Sequence, residues 1–165
     1  MASALSQLSP EVLAMMDRGV SVQVASCDER LRPSVMRAMG SRIDVARGTV
    51  TVFISRRQGG ELLRDIDASG RIAVMFSQPS THRTVQLKGA GATTRPAGPQ
   101  DRATIDRYVL GVVDDIVSLG YAPELVRAIF AHRLEDLVAV TFAPSEAFDQ
   151  TPGPRAGEPL ARGGA

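Results

Sequence analysis

Two short stretches carry side chains that could do chemistry. Ser55, Arg56, Arg57 and Gln58 stand where an apolar, β-branched run ends and a Gly-Gly pair leads into a helical pattern. Backbone amides at a helix start, a hydroxyl and two guanidinium groups are what a phosphate needs: fixed donors, a favourable dipole and bidentate charge. The second stretch, residues 82–96, reads HRTVQLKGAGATTRP. From Arg83 it alternates like a half-buried strand, with Val85 and Leu87 on one side and Thr84, Gln86 and Lys88 on the other. The polar side is a row of hydrogen-bonding groups. Gly89, Ala90 and Gly91, which follow, leave room for another backbone or a flat ligand. Each feature also has a plain reading, because neighbouring arginines are commonly a solvated edge and a polar strand face is commonly just wet. If the two sets face one cleft, each strengthens the other.

Other combinations are weaker. Gly89-Ala90-Gly91 begins like a dinucleotide fingerprint, but it lies in a strand, lacks the third glycine and opens no helix. His132 and Glu135 are three apart near a helix end and His82 stands alone, which suits surface or capping roles better than metal or haem ligation. Ser55 and Ser77 have no visible base, so nucleophilic catalysis is unsupported. Asp114 and Asp115 are adjacent on one helix and point different ways.

The elements that must position these residues can be read from periodicity. Ser9-Pro10 starts a short helix that Gly19 stops. Residues 20–26 alternate as a strand, and CDERLR turns the chain into a second strand at 33–39. Residues 49–54 and 71–77 make the third and fourth strands, with a helix between them that Gly70 ends. The stretch from Arg83 is the fifth. A helix pair at about 99–132 precedes a sixth strand at 137–143. Six short strands joined largely by turns predict a mainly β fold, an antiparallel barrel with peripheral helices. Residues 1–149 are expected to form one domain. The Pro/Gly-rich segment 150–165 is expected to be a tail without regular structure.

The bulk numbers agree with one globular domain. With 165 residues, 44% hydrophobic and 22% charged, the chain can bury a sizeable core. A net charge of +1 argues against a polyanion-coating protein, and 4% aromatic residues without Trp argue against base-stacking platforms, so no nucleic-acid partner is expected. One cysteine, Cys27, excludes an internal disulfide and suits a reducing compartment. The N-terminal stretch lacks the features of a signal peptide and no apolar run approaches the ~20 residues of a membrane span, so the expected location is the cytoplasm.

The run GTVTVFISRRQGGELLRDIDASGRIAVMFSQPSTHRTVQLKGAGA resembles the FMN-binding split-barrel family related to pyridoxamine 5'-phosphate oxidase. The resemblance spans roughly residues 20–95 and, more weakly, the last strand. It implies a six-stranded antiparallel split β-barrel of flavin-binding type, working as a homodimer with the cofactor in a cleft between subunits. It places FMN phosphate contacts on Ser55, Arg56, Arg57 and Gln58, and a ring contact on Thr84 with Arg83 and Gln86 as neighbours. It lays the backbone of Val35, Met36 and Arg37 along the flavin. Gln58 stands where the oxidases have a basic residue, Thr84 where they have Gln, and their Trp-containing C-terminal substrate region has no counterpart. Branches of the family bind FMN, a deazaflavin or haem, the last with His82 or His132 as a candidate axial ligand here. The expectation is a flavin-dependent oxidoreductase acting on a small molecule other than pyridoxamine 5'-phosphate, with a non-catalytic ligand-binding dimer as the alternative.

Overall fold

Strands form in all six places where they were expected, some from alternating residues and two, Thr49–Ser55 and Leu137–Phe142, from nearly continuous buried runs, and four short strands join them. The computed structural model describes residues 3–162. Helix α1 (Pro10–Asp17) starts where Ser9 accepts a hydrogen bond from the Val12 amide at 3.3 Å and Pro10 takes the first helical position. Strands β1 (Ser21–Cys27), β2 (Pro33–Arg37), β3 (Gly40–Asp44) and β4 (Thr49–Ser55) follow. Helix α2 (Gly60–Ser69) ends on Gly70, whose φ of +66° is the left-handed cap that glycine adopts without strain. Strands β5 (Ile72–Ser77), β6 (Thr84–Gly89) and β7 (Thr93–Pro96) lead to helices α3 (Arg102–Val117) and α4 (Pro123–Ile129). Strands β8 (Leu137–Phe142), β9 (Glu146–Asp149) and β10 (Pro159–Arg162) close the chain.

The strands form two antiparallel sheets, ordered β10-β9-β6-β5-β1-β2 and β3-β4-β8-β7. The chain crosses from one to the other within two residues. The Ala38 amide bonds the Val22 carbonyl of the first sheet at 2.9 Å, and the next amide, of Met39, bonds Phe53 of the second at 2.7 Å. Gly40 permits this crossing, since a Cβ there would stand 3.0 Å from the Phe53 ring and 3.2 Å from Ile105. Val22, Val24, Val74, Phe76, Val85 and Leu87 point inward from the first sheet and meet Val52, Ile54 and Val140 of the second in one hydrophobic core. Each such buried aliphatic or aromatic side chain contributes roughly 1.5–3 kcal/mol. The outer face of the first sheet then carries the alternate set Gln23, Met75, Gln86 and Arg37.

The segment from Gln150 on departs from expectation. The Asp149 amide donates to the Glu158 carbonyl at 2.9 Å, the Gly157 amide donates to the Asp149 carbonyl at 2.6 Å, and β10 pairs with β9 through Ala161 opposite Ala147. Ala161 is buried. A hairpin therefore forms in a Pro/Gly-rich stretch because β9 offers an open edge and a small apolar residue falls on its core side.

Candidate functional site

Register places the β4–α2 turn. Ser55, the last residue of β4, lies opposite Leu137, the first of β8, so Asp136 just before β8 comes to stand beside the turn. The Arg56 amide donates to the Asp136 carbonyl at 2.8 Å. The Asp136 carboxylate accepts from the Ser55 hydroxyl at 2.6 Å and from the Arg57 amide at 3.2 Å. Ser55 Oγ in turn accepts from the Gln58 amide at 3.3 Å. Gly59 is required here, because a Cβ would lie 2.5 Å from Ile54 Cγ2 and 3.3 Å from Met36 Cγ. The turn is thus pinned against β2 on one side and β8 on the other.

Arg57 and Gln58 line a cleft of about 310 Å³ with Met39, Ala131, His132 and Arg133. Arg57 and Arg133 also flank an adjoining cavity of about 240 Å³ above Asp136. The Arg57 guanidinium has no carboxylate partner among the described residues, whereas Arg133 holds Glu135 in an exposed pair at 2.7 Å. His132 Nδ1 lies 2.9 Å from the Phe130 carbonyl, an acceptor only, so Nδ1 is the nitrogen that donates in this contact and Nε2 takes no part in it. Arg56 faces away from this cleft, into a separate groove between α2 and β7. The two neighbouring arginines therefore do not grip from one side.

The residues expected around a flavin ring divide similarly. Gln86, Met75, Gln23 and Arg37 stand in register on successive strands β6, β5, β1 and β2, making one row about 14 Å long on the outer sheet face. Arg37 packs its guanidinium 5.2 Å from the Phe130 ring centre, and Phe130 in turn meets Tyr108 edge to face. Arg37 Nε is buried without a hydrogen-bond partner among the described residues, and burial pushes the Tyr108 hydroxyl well above the usual range. Val35 shares the outer face and is 67% exposed, while Met36 points the other way, toward the β4–α2 turn. Thr84 is buried, and its hydroxyl is engaged with Ser77 at 2.8 Å and the His82 carbonyl at 3.0 Å. That side chain ties β6 to β5. Arg83 is paired with Glu11 at 2.8 Å and lines a cavity of about 610 Å³ formed with Thr151 and Arg155 of the C-terminal hairpin. Within one chain, no described cavity joins the β4–α2 turn to Arg83, Thr84 or Gln86.

On its Cβ side Gly89 meets the chain itself, since a Cβ there would stand 2.8 Å from the Phe142 ring, but a separate cavity of about 440 Å³ is lined by Lys88, Gly89 and Ala90 together with Ala25, Cys27 and Ala73. His82, at φ +59°, sits on an exposed turn. No group of three or more metal-ligating side chains occurs among the described residues, and no helix among them is long and apolar enough to cross a membrane. Sequence reading missed Asp136, Met39, Ala131 and Arg133. The usable signal was register: once β8 is laid antiparallel to β4, the residues just before Leu137 must fall beside Ser55.

Comparison with known proteins gives the architecture a name. No family model matches the chain, and no curated protein matches it in sequence. Solved structures do match. HutZ, the heme storage protein from Vibrio cholerae, superposes with a TM-score of 0.52 at 13% identity over 86% of this chain and 94% of its own. An F420 reductase gives 0.56 at 16% identity over 81% and 93%. A candidate pyridoxamine 5'-phosphate oxidase from Lactobacillus delbrueckii gives 0.55 at 13% identity over 90% and 99%. The fold is the split β-barrel of pyridoxamine 5'-phosphate oxidase-like proteins. On this split barrel the cleft beside Arg57 opens where β4 ends and β8 begins, next to the segment after α4 that carries Phe130 and His132.

Proposed function

We propose that the chain is a flavin-dependent oxidoreductase that binds FMN and acts, as a homodimer, on a small molecule. The observation that carries this reading is the Arg57 guanidinium, left without a carboxylate partner among the described residues at the mouth of a cleft that a second guanidinium, Arg133, also lines. Gln58 replaces a basic residue of the resembling family, and Arg133 supplies that charge from the β8 side. Its pair with Glu135 is exposed and adds little, so exchanging that carboxylate for a phosphate is favourable. Ser55 and Asp136 act as positioning residues that fix the turn, since both the hydroxyl and the carboxylate are already engaged with each other. Arg37, Gln23, Met75 and Gln86 offer a flat, half-polar surface for a ring, and Arg37 is steadied by Phe130. A second copy covering the outer sheet face, on which Val35 is exposed, would exclude water from that ring and bring the Gln86 side into the cleft. The bound flavin supplies the two-electron chemistry, and the chain supplies position and charge.

A second reading has one observation in its favour. His132 donates through Nδ1 to Phe130, which orients its Nε2 as a haem ligand would need, and structural neighbours include a heme storage protein. Titration of the purified protein with FMN and with hemin separates the two. Saturable quenching of flavin fluorescence supports the first. A Soret shift abolished by His132→Ala, with no flavin quenching, overturns it. Sedimentation as a monomer at micromolar concentration would remove the shared cleft.

A further inference from the structure

We propose a second ligand site, independent of the flavin reading, for an organic anion that joins a phosphate or carboxylate to a small apolar body. It is the groove of about 370 Å³ between α2 and β7, a volume within the range of small-molecule sites. Leu63 and Val138 form an apolar floor, both largely buried, with Pro96 at the rim. Three guanidiniums stand around it, those of Arg56, Arg64 and Arg95. Arg95 is fixed: it bonds the buried Asp101 carboxylate at 2.7 and 2.8 Å and serves as a rigid wall. Arg56 and Arg64 have no carboxylate partner among the described residues, so the groove keeps cationic charge that the fold does not use.

The lining carboxylate, Asp67, is held at the edge by the Thr94 hydroxyl at 2.8 Å, which leaves the floor clear. At the helix start, Gly60 leaves the entrance open, since a Cβ there would meet nothing within 4 Å. Charge around an apolar floor selects an amphipathic anion over a bare one, because the floor rewards an apolar group that inorganic phosphate lacks. The Arg57 cleft lies across the turn and shares no lining residue with this groove.

Phenyl phosphate is a suitable probe, followed by amide chemical shifts in the full chain. The expected result is saturable shifts centred on residues 56–67 and 94–96, with inorganic phosphate binding at least several-fold more weakly. Arg64→Ala should weaken phenyl phosphate about tenfold or more through loss of a charge-assisted hydrogen bond. Gly60→Leu should block the groove without lowering the melting temperature, since a side chain at 60 finds open space and improves helix propensity. FMN affinity should be unchanged in both variants. No saturable shifts, shifts confined to the Arg57 cleft, or binding indifferent to both substitutions would overturn the proposal. Because neither variant touches that cleft, its failure would leave the flavin reading standing, and the reverse also holds.

Discussion

Asp101, between the end of β7 and the start of α3, and Asp136, just before β8, are two carboxylates that the chain uses in opposite ways. Asp101 is fully buried and accepts both nitrogens of the Arg95 guanidinium plus the Gly98 amide at 3.0 Å. Its charge is spent inside the fold, closing β7 onto the start of α3. Asp136 accepts only from a hydroxyl and an amide. It shapes a turn while leaving Arg56 and Arg57 uncommitted. Paired charge is where this molecule holds itself together, and unpaired charge is where it has something left for a ligand.

The largest effect that would sharpen this contrast is on stability. Arg95→Ala would strand the buried Asp101 carboxylate, an error that costs about 3 kcal/mol, at the low end for a buried pair because Arg95 is partly exposed. A calorimetric melt should fall by roughly 6–12 °C. Acid should reach the same pair. Hydrogen bonds from Arg95 hold the Asp101 carboxyl below the usual carboxylate range, so its stabilisation is present above the unfolded value near 3.9 and is lost as pH falls through the lower, folded value. Denaturant midpoints of Asp101→Asn measured against pH should lose that acid limb; an unchanged profile would place the acid sensitivity elsewhere. A smaller effect is expected from Ser55→Ala, which removes the bridge between Asp136 and the Gln58 amide and should cost about 1 kcal/mol in urea unfolding. The smallest is Glu135→Gln, which frees Arg133 and should tighten FMN by about two- to threefold, readable by fluorescence titration.

The parts of the fold legible in the sequence were those with a local signature. Clean alternation marked β1 and β6, and caps at Ser9 and Gly70 marked helix ends that the structure reproduces. Strand β3 was missed because it is five residues long and starts at the Gly40 crossing, where its partner is distant Phe53. Strand β10 was missed because its order comes from the β9 edge and not from its own Pro/Gly-rich composition. In the candidate site, the basic turn was visible as a string, but which way each arginine faces was not. Arg56 and Arg57 diverge because adjacent residues leaving a strand point to opposite sides. Thr84 looked like a ligand contact because its polar face alternates correctly; burial against Ser77 turned that polarity to the service of the sheet. Asp136 lies 81 residues from Ser55 and only strand pairing brings them together.

The central claim is that unpaired charge on the Arg57 side of the turn is a phosphate grip. It is tested most directly by measuring FMN and riboflavin dissociation constants for the unaltered protein and for Arg57→Ala/Arg133→Ala. Each charge-assisted contact is worth roughly 1.5–3 kcal/mol, so FMN affinity should fall at least tenfold while riboflavin, which has no phosphate, barely changes and the melting temperature holds. Equal losses for both ligands, or no loss for either, would contradict the account and make this turn a solvated basic edge.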